Sequence, residues 1–259
     1  MAPNQTNKDR LLFAALRGTR AITFWVLDRL VSHLVTDTFL RLSIRLSDFE
    51  PAHQGLLPCL TRRDLSLRAI MTVQWIWSMY SKLTMVHDLL ALIFVALLGW
   101  DQPLEWPPVF GNLLEAYSLR RFWGIFWHRL HVALFDAYIP SFPCRREAGQ
   151  QRDTNRFGVD ASKALRPLCI FLFSAICHSV VNSAVLGRSS VLPEARFFLS
   201  NYVLCLLETL LKHLFNGKGL SNCSRLKRPL GYVWVLVVFF ALTPGWQYPS
   251  IYGYGGGDQ

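Results

Sequence analysis

Long apolar stretches separated by short charged segments set the pattern of this chain. The clearest is residues 167–187, which contain no Asp, Glu, Lys or Arg and have about the length of a membrane span. Two more apolar stretches follow, near residues 196–215 and at residues 230–246, and the last carries no charge at all. Consecutive stretches of this kind, joined by short polar links, are typical of a helical protein that crosses a membrane several times.

The N-terminal part of the chain mixes apolar and charged positions more finely. Residues 21–40 read AITFWVLDRLVSHLVTDTFL, a pattern that suits an interfacial amphipathic helix better than a span. Residues 50–64 predict a loop. Residues 65–100 are apolar but interrupted by ionisable side chains, and both two short spans and one long broken helix fit this pattern.

A proline-rich connection, DQPLEWPPVFGN, leads into SLRRFWGIFWHRL, which predicts a helix continuing to about Tyr138. The pattern as a whole predicts an all-α polytopic transmembrane protein with about 5–7 membrane helices plus interfacial helices. We expect residues 1–64 to form an amphipathic, interfacial region and residues 65–259 to form the membrane domain.

Composition supports the membrane assignment. Of the 259 residues, 52% are hydrophobic and only 17% are charged, whereas a soluble domain carries about 25% charged residues. A soluble protein with a large core is the less favoured alternative. The net charge of +10 could suggest nucleic-acid binding, but no zinc-finger or RNA-binding signature is present. Membrane lipid, and no nucleic acid, is therefore the expected partner.

The basic residues also predict an orientation. Segments 141–165 and 216–229 are both basic and are separated by two predicted spans, so they lie on the same side of the membrane. The C-terminal tail after residue 245 has no basic residue. The positive-inside rule places the two basic segments in the cytosol and the tail on the opposite side.

One histidine stands out within the apolar stretch at residues 167–187. Ser174, His178 and Asn182 recur every four positions, which places them on one face of a helix. An ionisable side chain at this depth is costly unless it faces a polar cavity or a partner, so a functional role is a hypothesis. Hydrogen bonding between helices explains the same stripe, and the two interpretations remain open.

The segment SLRRFWGIFWHRL is both cationic and aromatic, and ends near His128. An interfacial helix anchored by tryptophan and arginine is a sufficient explanation for that composition. No H-E-x-x-H pattern or cluster of Cys and acidic residues lies nearby, so we expect no metal site. Downstream, Glu208 and Lys212 have the spacing of a pair within one helix.

The two motifs together resemble the wax synthase-like branch of the membrane-bound O-acyltransferases. That branch typically reads W-P-P-L-F-G followed by S-L-x-x-F-W-x-x-x-W-H, and FLFSAICH and GYVWVLVVFFALTPGW are similar to its later apolar helices. The resemblance covers roughly residues 65–246. The positions that match the two motifs are Trp106, Pro107, Pro108, Phe110, Gly111, Ser118, Leu119, Phe122, Trp123, Trp127 and His128.

The resemblance implies an enzyme that transfers an acyl or acetyl group from acyl-CoA to the hydroxyl of a hydrophobic acceptor such as a terpenoid, sterol or fatty alcohol. It implies no bound cofactor, a multi-pass location in the endoplasmic reticulum, and His178 as the base, with His128 orienting substrate or donating to the oxyanion. The expected substrate-binding residues are three arginines for the phosphates of CoA and four further side chains: Arg120, Arg121, Arg129, Trp123, Trp127, Ser174 and Asn182.

Two other classes of protein remain possible at this point. Family members are usually longer, with more spans at the N-terminus, so a shortened and non-catalytic membrane protein is one alternative. A membrane terpene cyclase is the other, although it would need intramembrane acids, and the last three predicted spans offer only Glu208. A compact acyltransferase of this branch would suit specialised metabolism, including terpenoid biosynthesis.

Overall fold

The computed structural model describes residues 7–55, 61–128, 130, 132–138, 161–187, 189–215 and 224–255. Within these residues the structure is helical and contains no β-strand, which confirms the all-α fold class. The described α-helices are α1 (Asn7–Arg41), α2 (Arg62–Ala91), α3 (Leu119–Arg121), α4 (Val132–Tyr138), α5 (Ala161–Leu186), α6 (Val191–Phe215) and α7 (Ser224–Gly255).

Helix α2 settles the question left open for residues 65–100. It is one long helix, and a π-helical segment at Leu92–Leu97 extends it without a break. A capping box begins it: the Asp64 N–H donates to Thr61 Oγ1 (3.1 Å), and the Thr61 N–H donates to Asp64 Oδ2 (3.0 Å). These bonds satisfy backbone donors that a helix start leaves free.

Three helical segments have the length and apolar composition of a membrane span: Arg62–Leu97, Ala164–Val185 and Arg228–Gly253. The second overlaps the predicted span at residues 167–187, and the third contains the predicted span at residues 230–246. The predicted span near residues 196–215 lies within α6, and the number of spans in the whole chain stays a prediction.

A buried ion cluster attaches α1 to α2. Asp88 is fully buried, and its carboxylate accepts from Arg17 Nη1 (2.7 Å) and from Arg20 Nε (2.6 Å). Arg17 also donates to the backbone carbonyl of Trp106. The interruption of the apolar pattern near residue 88 is thus the point that holds α1, α2 and the proline-rich connection together.

The predicted helix from residue 118 to Tyr138 is wrong in its middle. Helix α3 continues as a π-helix at Phe122–Phe126, and the backbone then becomes extended at Trp127 (φ −65°, ψ 152°) before α4 starts. The Phe126 carbonyl accepts a hydrogen bond from the Gly111 N–H (2.8 Å). The proline-rich connection therefore uses the acceptor that a continuing helix would have needed.

Aromatic side chains fill the centre of the bundle, where α2, α5, α6 and α7 meet the π-helix after α3. Trp246 stacks on Phe197 with ring centroids 3.9 Å apart, and its edge meets Trp75 at 4.9 Å. Phe122 packs on Phe239 at 4.7 Å. Such pairs add to the free energy gained by burial and fix ring orientations.

Candidate active site

A cavity of about 280 Å³ opens in this aromatic centre. It is bounded by α2, the π-helix at Phe122–Phe126, α5, α6 and α7, and most of its wall is apolar. A concave, largely apolar cavity with a few polar groups is the usual form of a small-molecule site. The lining residues are Trp75, Met79, Arg120, Trp123, Gly124, Trp127, His128, Val132, Arg166, Pro167, Ile170, Phe171, Ser174, His178, Phe197, Phe198, Cys205 and Trp246.

The two histidines singled out in the sequence lie on this one cavity. His178 comes from α5, and its ring packs on Phe198 of α6 with centroids 5.0 Å apart. His128 follows the extended residue Trp127, and its ring meets the Phe110 ring at 5.9 Å. The extended backbone at Trp127 ends the π-helix and brings the next side chain, that of His128, to the cavity wall.

Rigid aromatic packing holds the rest of the wall. Trp127 stacks on Phe122 at 5.1 Å and meets Trp75 at 5.2 Å. Trp123 donates its indole N–H to Asn201 Oδ1 at 3.1 Å, and Asn201 is fully buried in α6. Both tryptophans therefore have their rings fixed by neighbouring side chains.

Two glycines, one of them a matched motif position, explain how the segment after the proline-rich connection is held. At Gly111 an added Cβ would lie 3.1 Å from the carbonyl carbon of Ile125 and closer still to its oxygen. At Gly231 of α7 an added Cβ would lie 3.0 Å from the carbonyl carbon of Tyr117. Only glycine permits these two close contacts between backbone segments, which hold α3 and the π-helix from both sides.

Glu208 anchors the start of α3. Its carboxylate accepts from the backbone N–H groups of Leu119 (2.9 Å) and Arg120 (3.2 Å) and from Trp234 Nε1 (2.7 Å). A carboxylate at a helix N-terminus satisfies free backbone donors. The expectation of a simple pair with Lys212 missed this role, because the partners of Glu208 are distant in sequence.

The structure places the predicted substrate residues in three groups. Arg120, Trp123, Trp127 and Ser174 line the cavity. Arg121 and Asn182 are engaged elsewhere. The Arg121 guanidinium forms an ion pair with Glu115 and lies 4.6 Å from the Tyr117 ring centroid, and the Asn182 amide donates to Glu194 Oε1. Arg129 lies outside the described residues.

Sequence reasoning missed three cavity residues that carry chemistry. Arg166 stands immediately before the apolar stretch of α5 and joins Arg120 on the cavity lining, and both side chains are exposed. Cys205 lines the cavity from α6, and Trp246 lines it from α7. A cation at the very start of an apolar stretch was the available signal for Arg166.

No Asp or Glu side chain lines the cavity in the part of the chain that the structure describes. Within it, no group of three or more His, Cys, Asp or Glu side chains is arranged to hold a metal ion. The cavity instead offers two imidazoles, one thiol, two guanidinium groups and an aromatic wall. This set can accept a proton, donate hydrogen bonds and bind anionic groups at the exposed arginines.

Comparison with known proteins gives this geometry a family context. The model of the membrane bound O-acyl transferase family matches residues 106–200. That range begins at the proline-rich connection and includes both histidines of the cavity. No solved structure matches.

Fungal acyltransferases are similar in sequence over a larger part of the chain. Acetyltransferase ataH of Aspergillus terreus is 31% identical over 59% of this chain and 48% of its own length. Acetyltransferase TRI7 of Fusarium sporotrichioides is 29% identical over 68% of this chain and 40% of its own. O-Mevalon transferase yanI of Aspergillus niger is 30% identical over 59% of this chain and 34% of its own. The chain therefore spans half or less of the length of these relatives.

Proposed function

We propose that this protein is a membrane-embedded O-acyltransferase of the wax synthase-like branch. It transfers an acyl group, acetyl foremost, from acyl-CoA to the hydroxyl of a hydrophobic acceptor. The observation that carries the proposal is the meeting of His178, His128 and two exposed arginines on one aromatic cavity. The family match over residues 106–200 and the acetyltransferase names of the relatives support it.

In this proposal His178 is the general base. Its imidazole takes the proton of the acceptor hydroxyl as the oxygen attacks the thioester carbonyl carbon. The C–O bond forms, the C–S bond breaks, and the CoA thiolate leaves and recovers the proton from the imidazolium. Since the base activates the acceptor directly, no serine or cysteine nucleophile is needed.

His128 has the supporting role. From its place on the same cavity lining it orients the substrate or donates a hydrogen bond to the carbonyl oxygen as negative charge develops there. The flat faces of Trp123 and Trp127 form the adjoining wall, which suits a terpenoid or sterol ring system as well as a fatty alcohol.

The polyanionic part of acyl-CoA is assigned to Arg120 and Arg166. Both are exposed while lining the cavity, and guanidinium groups bind phosphate through paired hydrogen bonds. Arg121 is left out of this donor site because its guanidinium is committed to Glu115. Arg166 is the third residue of the candidate span of α5 and lies at the end that adjoins the basic segment 141–165, so the donor enters from the cytosol.

We further propose that residues 65–259 form the acyltransferase unit and residues 1–64 an interfacial region. The three candidate spans support a multi-pass membrane protein, and the endoplasmic reticulum is the proposed location.

The test is turnover in isolated membranes with radiolabelled acetyl-CoA or longer acyl-CoAs and a panel of hydrophobic alcohols. His178→Ala is expected to lower kcat by about 10²–10⁴-fold while leaving the amount of membrane protein unchanged. His33→Ala, at an exposed position of α1, is the matched control and is expected to leave turnover unchanged. Retained turnover in His178→Ala removes that residue from the base role.

A second pair of variants tests the donor site. Arg120→Gln and Arg166→Gln are each expected to raise KM for acyl-CoA with a smaller effect on KM for the alcohol. Arg29→Gln on the exposed face of α1 is the matched control. Unchanged KM for acyl-CoA in the double variant contradicts the assignment.

A further inference from the structure

Glu194 lies where α5, α6 and α7 meet, three helices that all contribute residues to the cavity wall. It belongs to the first turns of α6 and is 2% exposed. Its carboxylate oxygen Oε1 accepts from the Asn182 amide of α5, and its other oxygen, Oε2, is buried near the Trp246 side chain of α7 with no hydrogen-bond partner among the described residues. One buried side chain therefore joins α5, α6 and α7.

Both partners of Glu194 are connected to His178, Asn182 through α5 and Trp246 through ring contacts. Asn182 stands one helical turn after His178 on the same face of α5. On the other side, Trp246 stacks on Phe197 at 3.9 Å, Phe197 meets Phe198 at 5.4 Å, and Phe198 packs on the His178 ring at 5.0 Å. These contacts connect Glu194 to His178 by two routes, one along α5 and one through the aromatic side chains.

Hydroxyl groups also hold α5 against the start of α6, close to the turn that joins the two helices. Ser190 Oγ donates to the Ser179 carbonyl (3.2 Å), and the Ser190 N–H donates to Ser183 Oγ (3.1 Å). These bonds set how α5 lies against α6 at the turn. They make no contact with α7, so Glu194 and the stacking of Trp246 on Phe197 connect α5 and α6 to that helix.

A buried carboxyl is costly to keep unless its hydrogen bonds repay the loss of water. Burial raises the pKa of the Glu194 carboxyl, and its contacts with Trp246 and Asn182 partly offset that rise. The neutral acid and an amide of the same shape can make similar hydrogen bonds. Glutamine is therefore the informative replacement.

We propose that Glu194 is a positioning residue of the acyltransferase reaction, which holds His178 against the aromatic wall by joining Asn182 to Trp246. This inference rests on the proposed function. The base has to meet the acceptor hydroxyl within hydrogen-bond distance, so a small rotation of α5 relative to the wall removes it from productive geometry.

The experiment compares Glu194→Ala with Glu194→Gln in membranes of the full chain, with Glu50→Ala outside the cavity as the control. Glu194→Ala is expected to lower kcat by about 10–100-fold, with KM for both substrates near the wild-type value. Glu194→Gln is expected to restore kcat, because it keeps the acceptor for Asn182. A residue that only supported folding would change the amount of active protein, and Glu194→Gln would rescue no kcat per molecule.

A double variant tests whether Glu194 acts through His178. If it does, Glu194→Ala adds no further loss to His178→Ala, because residues that act as one unit are not additive. Should Glu194→Ala fail to accumulate in membranes, Asn182→Leu removes the amide but keeps the branched shape of the side chain, and Trp246→Phe removes the indole N–H but keeps an aromatic ring. Each is then expected to lower kcat, and wild-type kcat in both overturns the inference.

The two proposals fail differently. Absent acyl transfer by the wild-type protein, or full turnover in His178→Ala, overturns the proposed function. Turnover that needs His178 but is unchanged in Glu194→Ala overturns the positioning role alone, as does a Glu194→Gln variant that is as slow as Glu194→Ala.

Discussion

Gly111 offers the sharpest test of how the proline-rich connection supports the cavity. In Gly111→Ala the new methyl group would lie 3.1 Å from the carbonyl carbon of Ile125 and 3.4 Å from Phe126 Cα, with the Ile125 oxygen nearer still. All three neighbours are backbone atoms, so no side-chain rotation relieves the contact. Since carbon atoms pack at about 3.5–4.0 Å, the two segments must separate by about 1 Å.

The expected cost has two parts. Forcing a methyl group into packed backbone costs about 1–3 kcal/mol. The Gly111 N–H to Phe126 carbonyl hydrogen bond (2.8 Å) is strained or lost, for about 0.5–1.5 kcal/mol more. The free energy of unfolding is therefore expected to fall by about 1.5–4.5 kcal/mol.

The displaced segment carries the cavity residues Trp127 and His128. A misplacement of about 1 Å at a reacting group costs about 10²-fold in rate, so kcat is expected to fall by that order. The assays are thermal unfolding of the detergent-solubilised protein and acyl transfer per molecule in membranes.

Gly18→Ala is the matched control. Gly18 lies within α1 and an added Cβ meets nothing within 4 Å, so alanine there is expected to stabilise the helix by about 0.5–1 kcal/mol. A Gly111→Ala protein with the unfolding temperature and the turnover of the wild type would refute the close packing on which this reasoning depends.

Three further predictions concern stability. Gly231→Ala is expected to lower the unfolding temperature, because its methyl group would meet the Tyr117 carbonyl; an unchanged melting curve contradicts that contact. Asp88→Asn leaves two arginines without their buried carboxylate. The free energy of unfolding, measured with denaturant, is expected to fall by about 3–5 kcal/mol. A fall near zero would mean that water already solvates the cluster. The Arg63 guanidinium holds the pKa of Asp48 below its usual value. This pair therefore stabilises the fold fully above the pKa of the unfolded state, about 4. The stabilisation is lost as the pH falls through the lower pKa of the folded state. Acid unfolding of Asp48→Asn should lack this component, and identical acid profiles in wild type and variant would rule it out.

Local pattern was enough to predict several parts of this molecule. The uncharged stretch at residues 167–187 predicts the candidate span of α5 because backbone groups in lipid must be satisfied within a helix. The four-residue spacing of Ser174 and His178 predicts a shared face, and both side chains line the cavity. Asn182 follows the same spacing but binds Glu194, so periodicity predicted the face and not the partner.

The errors share a different cause. The helix predicted through Tyr138 stops at Trp127 because the Phe126 carbonyl is taken by Gly111, and a propensity for helix carries no information about that competitor. Glu208 was assigned to a neighbour four residues away, whereas its partners are the N–H groups that begin α3. In both cases the stronger interaction comes from a segment distant in the chain.

By itself, then, the order of residues determined the long apolar helices, the shared face of Ser174 and His178, and the two histidines that are candidates for chemistry. Only the tertiary structure decided that Arg166, Cys205, Trp246 and both histidines share one cavity, and that Glu194 connects its helices. The physical reason is how far apart in the chain the interacting residues are. Helix formation and apolar burial depend on neighbours within a few turns, but a cavity exists only where backbones from distant segments approach closely enough to exclude other packing.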